Sequence, residues 1–386
     1  MLNWLSTDGK LIIINRSLRS FAFGFMSVII GIYLSDSGIR ETTIGLLLSA
    51  SIIGGALFTI FTGKYAGRYG IKKMILISMI LSIIGILGFI LSKNIILLFL
   101  ASMIAFISPS GKELGPFLSL EQAYLPETVS QENRTKTFSY FNMAANLATT
   151  FGSLLAGLPV FLQNIWNIEK MESYRVLFLI YLIINIIALL IYTRISEIKL
   201  HQEEIKITEK TKKIIMKLSL LFSIDSLGGG FVMGSLISLW FATKFHVSLS
   251  DLSSVFFIAG LMSTISVYLS GLIAKRIGLI NTMVFTHIPA NLCLILMPFM
   301  PNFYLAIFFY FFRQLLSEMD IPARQSYVVA VVEPGEKAVA TSITSVARVL
   351  TSAISPPIAS NILLLPFLSP FIIGGTLKII YDILLY

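Results

Sequence analysis

The sequence contains one cysteine and three histidines among its 386 residues. The single thiol, Cys293, excludes an internal disulfide, and His201, His246 and His287 are too far apart along the chain to give a metal-ligand spacing. A nucleophile elbow of the G-x-S-x-G type is also absent. The sequence therefore indicates neither an enzyme nor a protein that holds a metal or another cofactor.

Charge is scarce as well, since Asp, Glu, Lys and Arg make up 13% of the chain and hydrophobic residues 56%. A typical soluble domain has about twice that share of charge, so the composition excludes a protein whose surface faces water. Apolar runs of about 20 residues cross a hydrocarbon core as helices, whereas barrel strands would be half as long and would alternate. Runs of the helical kind occur at residues 42–63, 74–92, 176–193 and 252–274.

The hydrophobic runs and the prolines predict an all-α integral membrane protein with twelve transmembrane helices. The apolar run 277–312 is too long for one span, and Pro298 and Pro301 divide it because proline disfavours a continued helix. The predicted spans are 11–35, 43–63, 72–92, 95–122, 137–161, 174–194, 217–242, 250–273, 280–299, 302–326, 338–361 and 366–385.

The basic residues predict how the chain is oriented in the membrane. Most Lys and Arg residues lie in segments that face the cytoplasm if the N-terminus is inside, which is the side that retains positive charge. We expect a multi-pass protein of the cell (plasma) membrane with both termini cytoplasmic. The Lys- and Glu-rich segment 195–216 is predicted to be a partly helical cytoplasmic linker between six-helix bundles at 1–194 and 217–386. The net charge of +9 is attributed to loops that face anionic lipid headgroups, not to nucleic acid.

Two short basic loops repeat one pattern. Gly63–Gly70 (GKYAGRYG) and Gly271–Gly278 (GLIAKRIG) share Gly, Ala, Arg and Gly at the same spacing. The sequence Glu121-Gln122-Ala123-Tyr124 likewise has a counterpart in Arg324-Gln325-Ser326-Tyr327. A phosphate-binding loop is the rival interpretation of Gly63–Gly70, but the glycine and lysine spacing of such loops is absent. The repeats indicate two similar halves, an arrangement typical of transporters.

The loop at residues 63–73 resembles the G-x-L-A-D-R-x-G-R-K loop of the major facilitator superfamily. The resemblance implies two pseudo-twofold-related six-helix bundles (the MFS fold) and alternating access. Gly67 and Lys275 replace the acidic residue that helps to hold the outward-facing state in that family, and Arg68 is expected to pair with Glu121 instead. The resemblance assigns the following residues to the conformational-switch loops: Gly63, Arg68, Gly70, Lys72, Lys73, Gly271, Arg276 and Gly278.

Charged residues inside the predicted spans carry the most functional information, because each costs about 3 kcal/mol or more at the bilayer centre unless it is paired or hydrated. All of them except Arg348 lie on the first, fourth, seventh and tenth spans. The resemblance implies that these four spans line the central cavity. The alternative is that they pair and fix helix packing. The candidate transport and gating residues are Arg19, Lys112, Glu113, Asp225, Arg313, Glu318, Asp320 and Arg348.

The depth of these residues in the membrane can be estimated from the rise per residue of an α-helix. Arg19, Glu113, Asp225 and Asp320 are expected at a similar level, where opposite charges on the two halves would close an inner gate. Structural roles are expected for several other polar residues, and the consecutive glycines of the seventh span are expected to weaken that helix or to pack it closely. The predicted structural residues are Glu121, Arg324, His287 and the i,i+4 pair Lys378 and Asp382.

We therefore predict a secondary active transporter that moves a small organic solute by alternating access, coupled to protons, and acts as a monomer. Gly152, Gly157 and Pro159 partly match a glycine-rich pattern of family members that export solute for protons, which favours an antiporter for efflux. A uniporter or a proton-coupled importer is the alternative, and a non-transporting receptor or scaffold is a remote one. The embedded basic groups favour a solute with negative charge.

Overall fold

A computed structural model describes residues 5–92, 94–113, 115–198, 208–333, 336–365 and 367–386. Within these ranges the regular structure is helical and contains no strand. The α-helices are α1 (Thr7–Asp36), α2 (Glu41–Tyr69), α3 (Ile71–Leu91), α4 (Ile95–Ala105), α5 (Pro116–Tyr124), α6 (Arg134–Leu154), α7 (Leu158–Trp166), α8 (Lys170–Tyr192), α9 (Glu209–Phe231), α10 (Gly234–Phe245), α11 (Leu249–Ile277), α12 (Leu279–Leu296), α13 (Phe303–Ser317), α14 (Asp320–Val331), α15 (Lys337–Ser352), α16 (Pro356–Asn361) and α17 (Pro370–Leu385).

Each predicted span corresponds to one helix or to two consecutive helices, so the prediction of an all-helical protein with twelve spans is confirmed. The fourth, fifth, seventh, tenth and eleventh spans are each made of two helices, as in α4 with α5 and α9 with α10. Among the described residues, eight helical segments are long and apolar enough to cross a membrane. Two of these segments, 131–166 and 209–245, contain such an interruption. The interrupted spans matter for function, because irregular backbone at membrane depth is tolerated where protein or a cavity surrounds it.

The helix of the seventh span begins within the segment that was predicted to be a partly helical linker. Helix α9 starts at Glu209 instead of residue 217, and the side chain of Thr208 caps it by accepting a hydrogen bond from the backbone N–H of Thr211. The Lys- and Glu-rich sequence continues the helix here because it contains no Gly or Pro. Residues 199–207 of the predicted linker lie outside the described residues.

The chain divides into two compact units. The first comprises the described residues of 1–40, 46–202 and 247–257, and the second those of 41–45, 203–246 and 258–386. A core cluster in the first unit includes Ile12, Ile75 and Phe117. One in the second unit includes Phe222 and Met283. Each unit therefore has its own apolar interior, in which the polar groups described below are buried.

Glycines let the helices of each unit approach closely. A Cβ atom on Gly152 of α6 would lie 2.0 Å from the carbonyl oxygen of Phe21 on α1. In the second unit, a Cβ atom on Gly230 of α9 would lie 2.3 Å from the carbonyl oxygen of Ser352. Small residues at such contacts are what allow helix backbones to pack in lipid. The consecutive glycines at 228–230 thus lie within α9, which ends just after them at Phe231.

Replacing Gly152 by Ala should destabilise the first unit, because the added methyl group has no room beside the Phe21 carbonyl. We expect Gly152→Ala to cost about 1–3 kcal/mol and to lower the thermal unfolding midpoint of the detergent-purified protein. Gly63→Ala is the matched control, since Gly63 is also helical and a Cβ atom there would have no neighbour within 4 Å. Equal midpoints for the two variants would contradict close packing of α1 on α6.

Candidate functional site

Four ionised side chains meet inside the first unit. The guanidinium of Arg19, which is 1% exposed, donates to Glu113 Oε1 from Nε at 2.9 Å and from Nη2 at 2.7 Å. It also donates to both oxygens of Glu121, at 3.0 Å and 2.9 Å. Arg16 forms a salt bridge to the other oxygen of Glu113, and the hydroxyl of Tyr192 donates to Glu121. Two positive and two negative groups therefore balance in a buried cluster.

The break between α4 and α5 positions Glu113. The backbone leaves the helix after Ala105 and resumes it at Pro116, directly after Gly115, whose φ of +109° favours glycine. Buried hydroxyls satisfy carbonyls at this break: Ser82 donates to Ala105 at 2.9 Å and Ser51 donates to Ile107. The fourth span can therefore present a carboxylate from an irregular segment without leaving these backbone groups unpaired.

A second ionic cluster lies inside the second unit and centres on Asp225 of α9. Its carboxylate accepts hydrogen bonds from Lys378 Nζ at 2.6 Å and Arg324 Nη1 at 3.1 Å. Arg348 Nη2 contacts it at 3.5 Å. Arg324 also binds Asp320, one turn earlier on α14, at 2.5 Å. Asp225, Asp320 and Arg324 are at most 4% exposed, so the centre of this cluster is also shielded from water.

The two clusters repeat one arrangement with the charges exchanged. In the first unit an arginine of the first span, Arg19, pairs with a carboxylate of the fourth span, Glu121. In the second unit a carboxylate of the seventh span, Asp225, pairs with an arginine of the tenth span, Arg324. Glu121 and Arg324 begin the two duplicated tetrapeptides. Each half of the sequence therefore holds a buried ion pair between corresponding helices, but of opposite polarity.

The structure brings together some of the predicted transport residues. Arg19 and Glu113 are directly paired, whereas Asp225 and Asp320 share Arg324. These four side chains are thus neutralised by partners in their own units, and an inner gate made from them stays a prediction.

The remaining candidates differ from one another. Arg348 touches Asp225 from α15, and the half-buried Arg313 donates to its neighbour Gln314. Lys112 is exposed and Glu318 half-buried. Of these, Arg348 is the candidate that the structure joins to the cluster on Asp225.

Sequence reasoning gave no role to Arg16 or Tyr192 and missed how His287 is placed. His287 was expected to be a lone packing residue, but its Nδ1 lies 2.9 Å from Asp382 Oδ1. Lys378 was expected to pair with Asp382 on its own helix, and instead directs its ammonium to Asp225. One signal was available for Arg16, since it precedes Arg19 by three residues and so lies on the same face of a helix.

The first switch loop is held by the segment that follows α8. Gly70 has a φ of +97°, and Glu197 accepts a hydrogen bond from the backbone N–H of Lys72 at 3.0 Å, at the start of α3. The backbone N–H of Ile71 donates to the carbonyl of Ile198 at 3.0 Å. A carboxylate is favourable at this position, because the N-terminus of a helix carries partial positive charge.

The expected pairing of Arg68 with Glu121 is wrong. Glu121 is fully buried on Arg19, whereas Arg68 is exposed and stacks over the ring of Tyr69 at 5.3 Å. Gly63 lies within α2, and Lys73 is exposed. The acid that touches this loop comes from Glu197, which lies more than 120 residues further along the chain, so no local motif could have indicated it.

The second switch loop has the same turn with different surroundings. Gly278 has a φ of +88°, close to that of Gly70, but a Cβ atom there would meet nothing within 4 Å. Gly271 and Arg276 lie exposed at the end of α11. Both glycines therefore adopt a positive φ. The carboxylate of Glu197, which binds the backbone at the start of α3, distinguishes the first loop from the second.

Comparisons with known proteins agree on one family. A sequence profile of the Major Facilitator Superfamily matches residues 12–356. An uncharacterized membrane protein of Saccharomyces cerevisiae is 22% identical, over 98% of this chain and 93% of its own length. Among solved structures, the nucleoside transporter NupG has a TM-score of 0.77 at 12% identity, covering 98% of this chain and 97% of its own. A D-xylose-proton symporter has a TM-score of 0.76 at 13% identity, with 98% of both chains covered.

The docked carboxylate predicts different effects of the same substitution in the two switch loops. Both Gly70→Ala and Gly278→Ala force a side chain into a conformation that costs about 1–3 kcal/mol. At Gly70 the new methyl group would also lie 2.2 Å from Glu197 Oε1, so we expect Gly70→Ala to cost roughly 1 kcal/mol more. Thermal unfolding of both purified variants tests this difference, and equal losses would show that Glu197 does not brace the loop.

Removing Arg19 should be far more damaging than removing a surface arginine. Arg19→Met leaves Glu113 and Glu121 with one cation between them, and we expect a loss of about 3–5 kcal/mol. Arg175→Met is the control, because Arg175 pairs with Glu172 on an exposed helix face where an ion pair contributes less than about 1 kcal/mol. Denaturant unfolding in mixed micelles measures both, and a loss below about 1 kcal/mol for Arg19→Met would contradict the buried cluster.

Proposed function

The chain belongs to the Major Facilitator Superfamily, and we propose that it is a secondary active transporter that moves a small organic solute across the membrane by alternating access. Family membership and the transporter fold support transport in general. The proposal adds proton coupling, direction and the charge of the solute. It also places the protein in the cell membrane as a monomer, with both termini cytoplasmic.

The observation that carries the proposal is the pair of buried, charge-exchanged ion clusters. Burying an ion pair seldom adds stability, because desolvation offsets the attraction between the charges. Ionised groups inside membrane-spanning helices instead mark pathways for ions and solutes. Each half of this chain keeps such groups on its first and fourth spans, with Arg19 and Glu121 in one half and Asp225 and Arg324 in the other.

Proton coupling is supported by the number of cations that depend on one carboxylate. Asp225 contacts Lys378, Arg324 and Arg348. A proton on Asp225 would remove the negative charge that holds the three cations together. The mutual repulsion of these cations would then favour another arrangement of their helices. Binding of a proton and a change of conformation are thus linked through one group.

The solute is proposed to carry negative charge, with Arg348 as a contacting group. The side chain of Arg348 is 32% exposed, against 3% for Asp225 and 5% for Arg324. Its contact with Asp225 is also the longest of the three, at 3.5 Å. A cation that is half-buried and loosely held can bind an anion at little cost, because its existing partner keeps two other cations.

Export is the proposed direction, with proton influx driving solute out. It is supported by the partial match of Gly152, Gly157 and Pro159 in the fifth span to the glycine-rich pattern of family members that export solute for protons. Import with protons and uniport use the same residues and are distinguished by the assay below.

Transport should depend on Asp225 and on an imposed pH gradient. In proteoliposomes screened with radiolabelled organic anions, we expect the unmodified protein to move at least one solute faster when the gradient is imposed. Asp225→Asn should lower this gradient-driven rate at least about tenfold, since the proton site would be lost. Solute flux measured with the gradient in each orientation identifies export or import.

Asp251→Asn is the matched control, because Asp251 is exposed at the start of α11 and binds Ser248. It should transport at the unmodified rate. Gradient-driven flux that is equal in Asp225→Asn and Asp251→Asn would remove Asp225 from the proton pathway, and flux that ignores the gradient in every form would favour a uniporter.

A further inference from the structure

A histidine and an aspartate are paired inside the second unit. His287 on α12 places Nδ1 2.9 Å from Oδ1 and 3.1 Å from Oδ2 of Asp382 on α17. Asn291, one turn further along α12, donates to Asp382 Oδ2 at 3.4 Å. The two paired side chains are 4% and 0% exposed. This pair is separate from the clusters centred on Arg19 and Asp225, although Asp225 is joined to the same helix α17 through Lys378.

Asp382 differs from the neighbouring carboxylates in the kind of side chain that pairs with it. Asp225 is held by lysine and arginine, and Asp320 by arginine. A proton on either of these would leave a buried cation without its counter-ion, so it can bind only together with the rearrangement of helices proposed for Asp225. Asp382 is paired with imidazole, the side chain that gains and loses charge near neutral pH. A proton can therefore enter between His287 and Asp382 and improve the pairing there.

Lys378 connects this pair to Asp225. It lies one helical turn before Asp382 on α17, a separation at which two side chains of a helix can touch. Its stem crosses α9 beside two glycines: a Cβ atom on Gly228 would lie 3.0 Å from Lys378 Cγ, and one on Gly229 3.8 Å from Nζ. The absence of side chains at these glycines leaves the ammonium room to move between Asp225 and Asp382.

The charges around the pair balance while the imidazole is neutral. They come from the helices of the second unit and from the segment between α13 and α14, and they comprise four carboxylates and four cations. A bound proton adds one positive charge to this buried set, so the surrounding ion pairs must respond. The groups are Asp225 on α9, Arg313 on α13, Glu318 between α13 and α14, Asp320 and Arg324 on α14, Arg348 on α15, and Lys378 and Asp382 on α17, with the weakly acidic Cys293 on α12 and Tyr381 on α17.

We propose that His287 and Asp382 form a proton-binding site and that Lys378 transmits its occupancy to Asp225. When the imidazole takes a proton from water, the imidazolium neutralises Asp382, and Lys378 binds Asp225 as in the structure. When the proton leaves, the charge on Asp382 attracts Lys378 away from Asp225. The role of this site in transport rests on the proposed function, but proton binding itself does not.

The test uses the proton as its only ligand. Replacing His201 by Gln and His246 by Asn leaves His287 as the sole histidine of the full chain, so the 15N resonances of histidine-labelled protein in lipid nanodiscs report that side chain alone. We expect them to change as the pH is lowered, because the imidazole takes a proton. In the same background, Lys378→Met should move the titration midpoint upward by about one pH unit, since a nearby cation no longer opposes protonation. Asp382→Asn should move it downward.

Two controls separate the proposed link from a loss of packing. Lys378→Arg keeps the positive charge and should leave the midpoint close to that of the background protein. Lys275→Met removes an exposed lysine of α11 and should not move it. If Lys378→Met does not fold, Asp225→Asn gives a second measurement, because Lys378 would then turn to Asp382 and lower the midpoint.

Histidine resonances that do not change with pH overturn the proposal, as does a midpoint that is the same in Lys378→Met and Lys275→Met. These measurements need no solute. A screen in which the unmodified protein moves no solute argues against the proposed function alone, so the two failures are seen in different experiments.

Discussion

Charge that enters a membrane-spanning helix has to be cancelled within the protein, and this requirement determines the interior of both units. Arg19 meets two carboxylates and Asp225 meets three cations. In both cases the partners come from helices that are distant in sequence. The apolar clusters, the glycine contacts and the break before Pro116 all allow these side chains to reach one another. Hydrophobic burial holds the helices in lipid, but ion pairing decides which faces of the helices turn inward.

Most of the fold could be predicted from the sequence, because lipid imposes simple rules. A span needs an apolar run of known length, and Pro298 with Pro301 divides the one ambiguous run. Exact helix boundaries could not be predicted, because length and composition carry no signal for them. Helix α9 begins at Glu209 because a polar sequence without Gly or Pro continues the helix beyond the lipid-facing part. The break in the seventh span falls at Val232, after the glycines, since those residues are needed for packing inside the helix.

The candidate site could be predicted only as a set of residues. The free-energy cost of a charged side chain in lipid identified Arg19 and Asp225, but it did not identify the residues that they bind. Their partners depend on which helices are neighbours, and that follows from packing of the whole unit. The docking of Glu197 at the start of α3 and the pairing of His287 with Asp382 are of the same kind. The duplicated tetrapeptide was a local signal for the two central ion pairs, since Glu121 and Arg324 begin it with opposite charges.

The exchange of polarity between the halves also bears on how the chain assembles. Duplicated halves have similar helices, and a helix of one half is a competitor for a position in the other. If α1 packed against α14 during insertion, Arg19 would be buried beside Arg324. If α9 packed against α5, Asp225 would be buried beside Glu121. Both mispairings place like charges together in a medium of low dielectric, so the inverted ion pairs discriminate against the wrong partner.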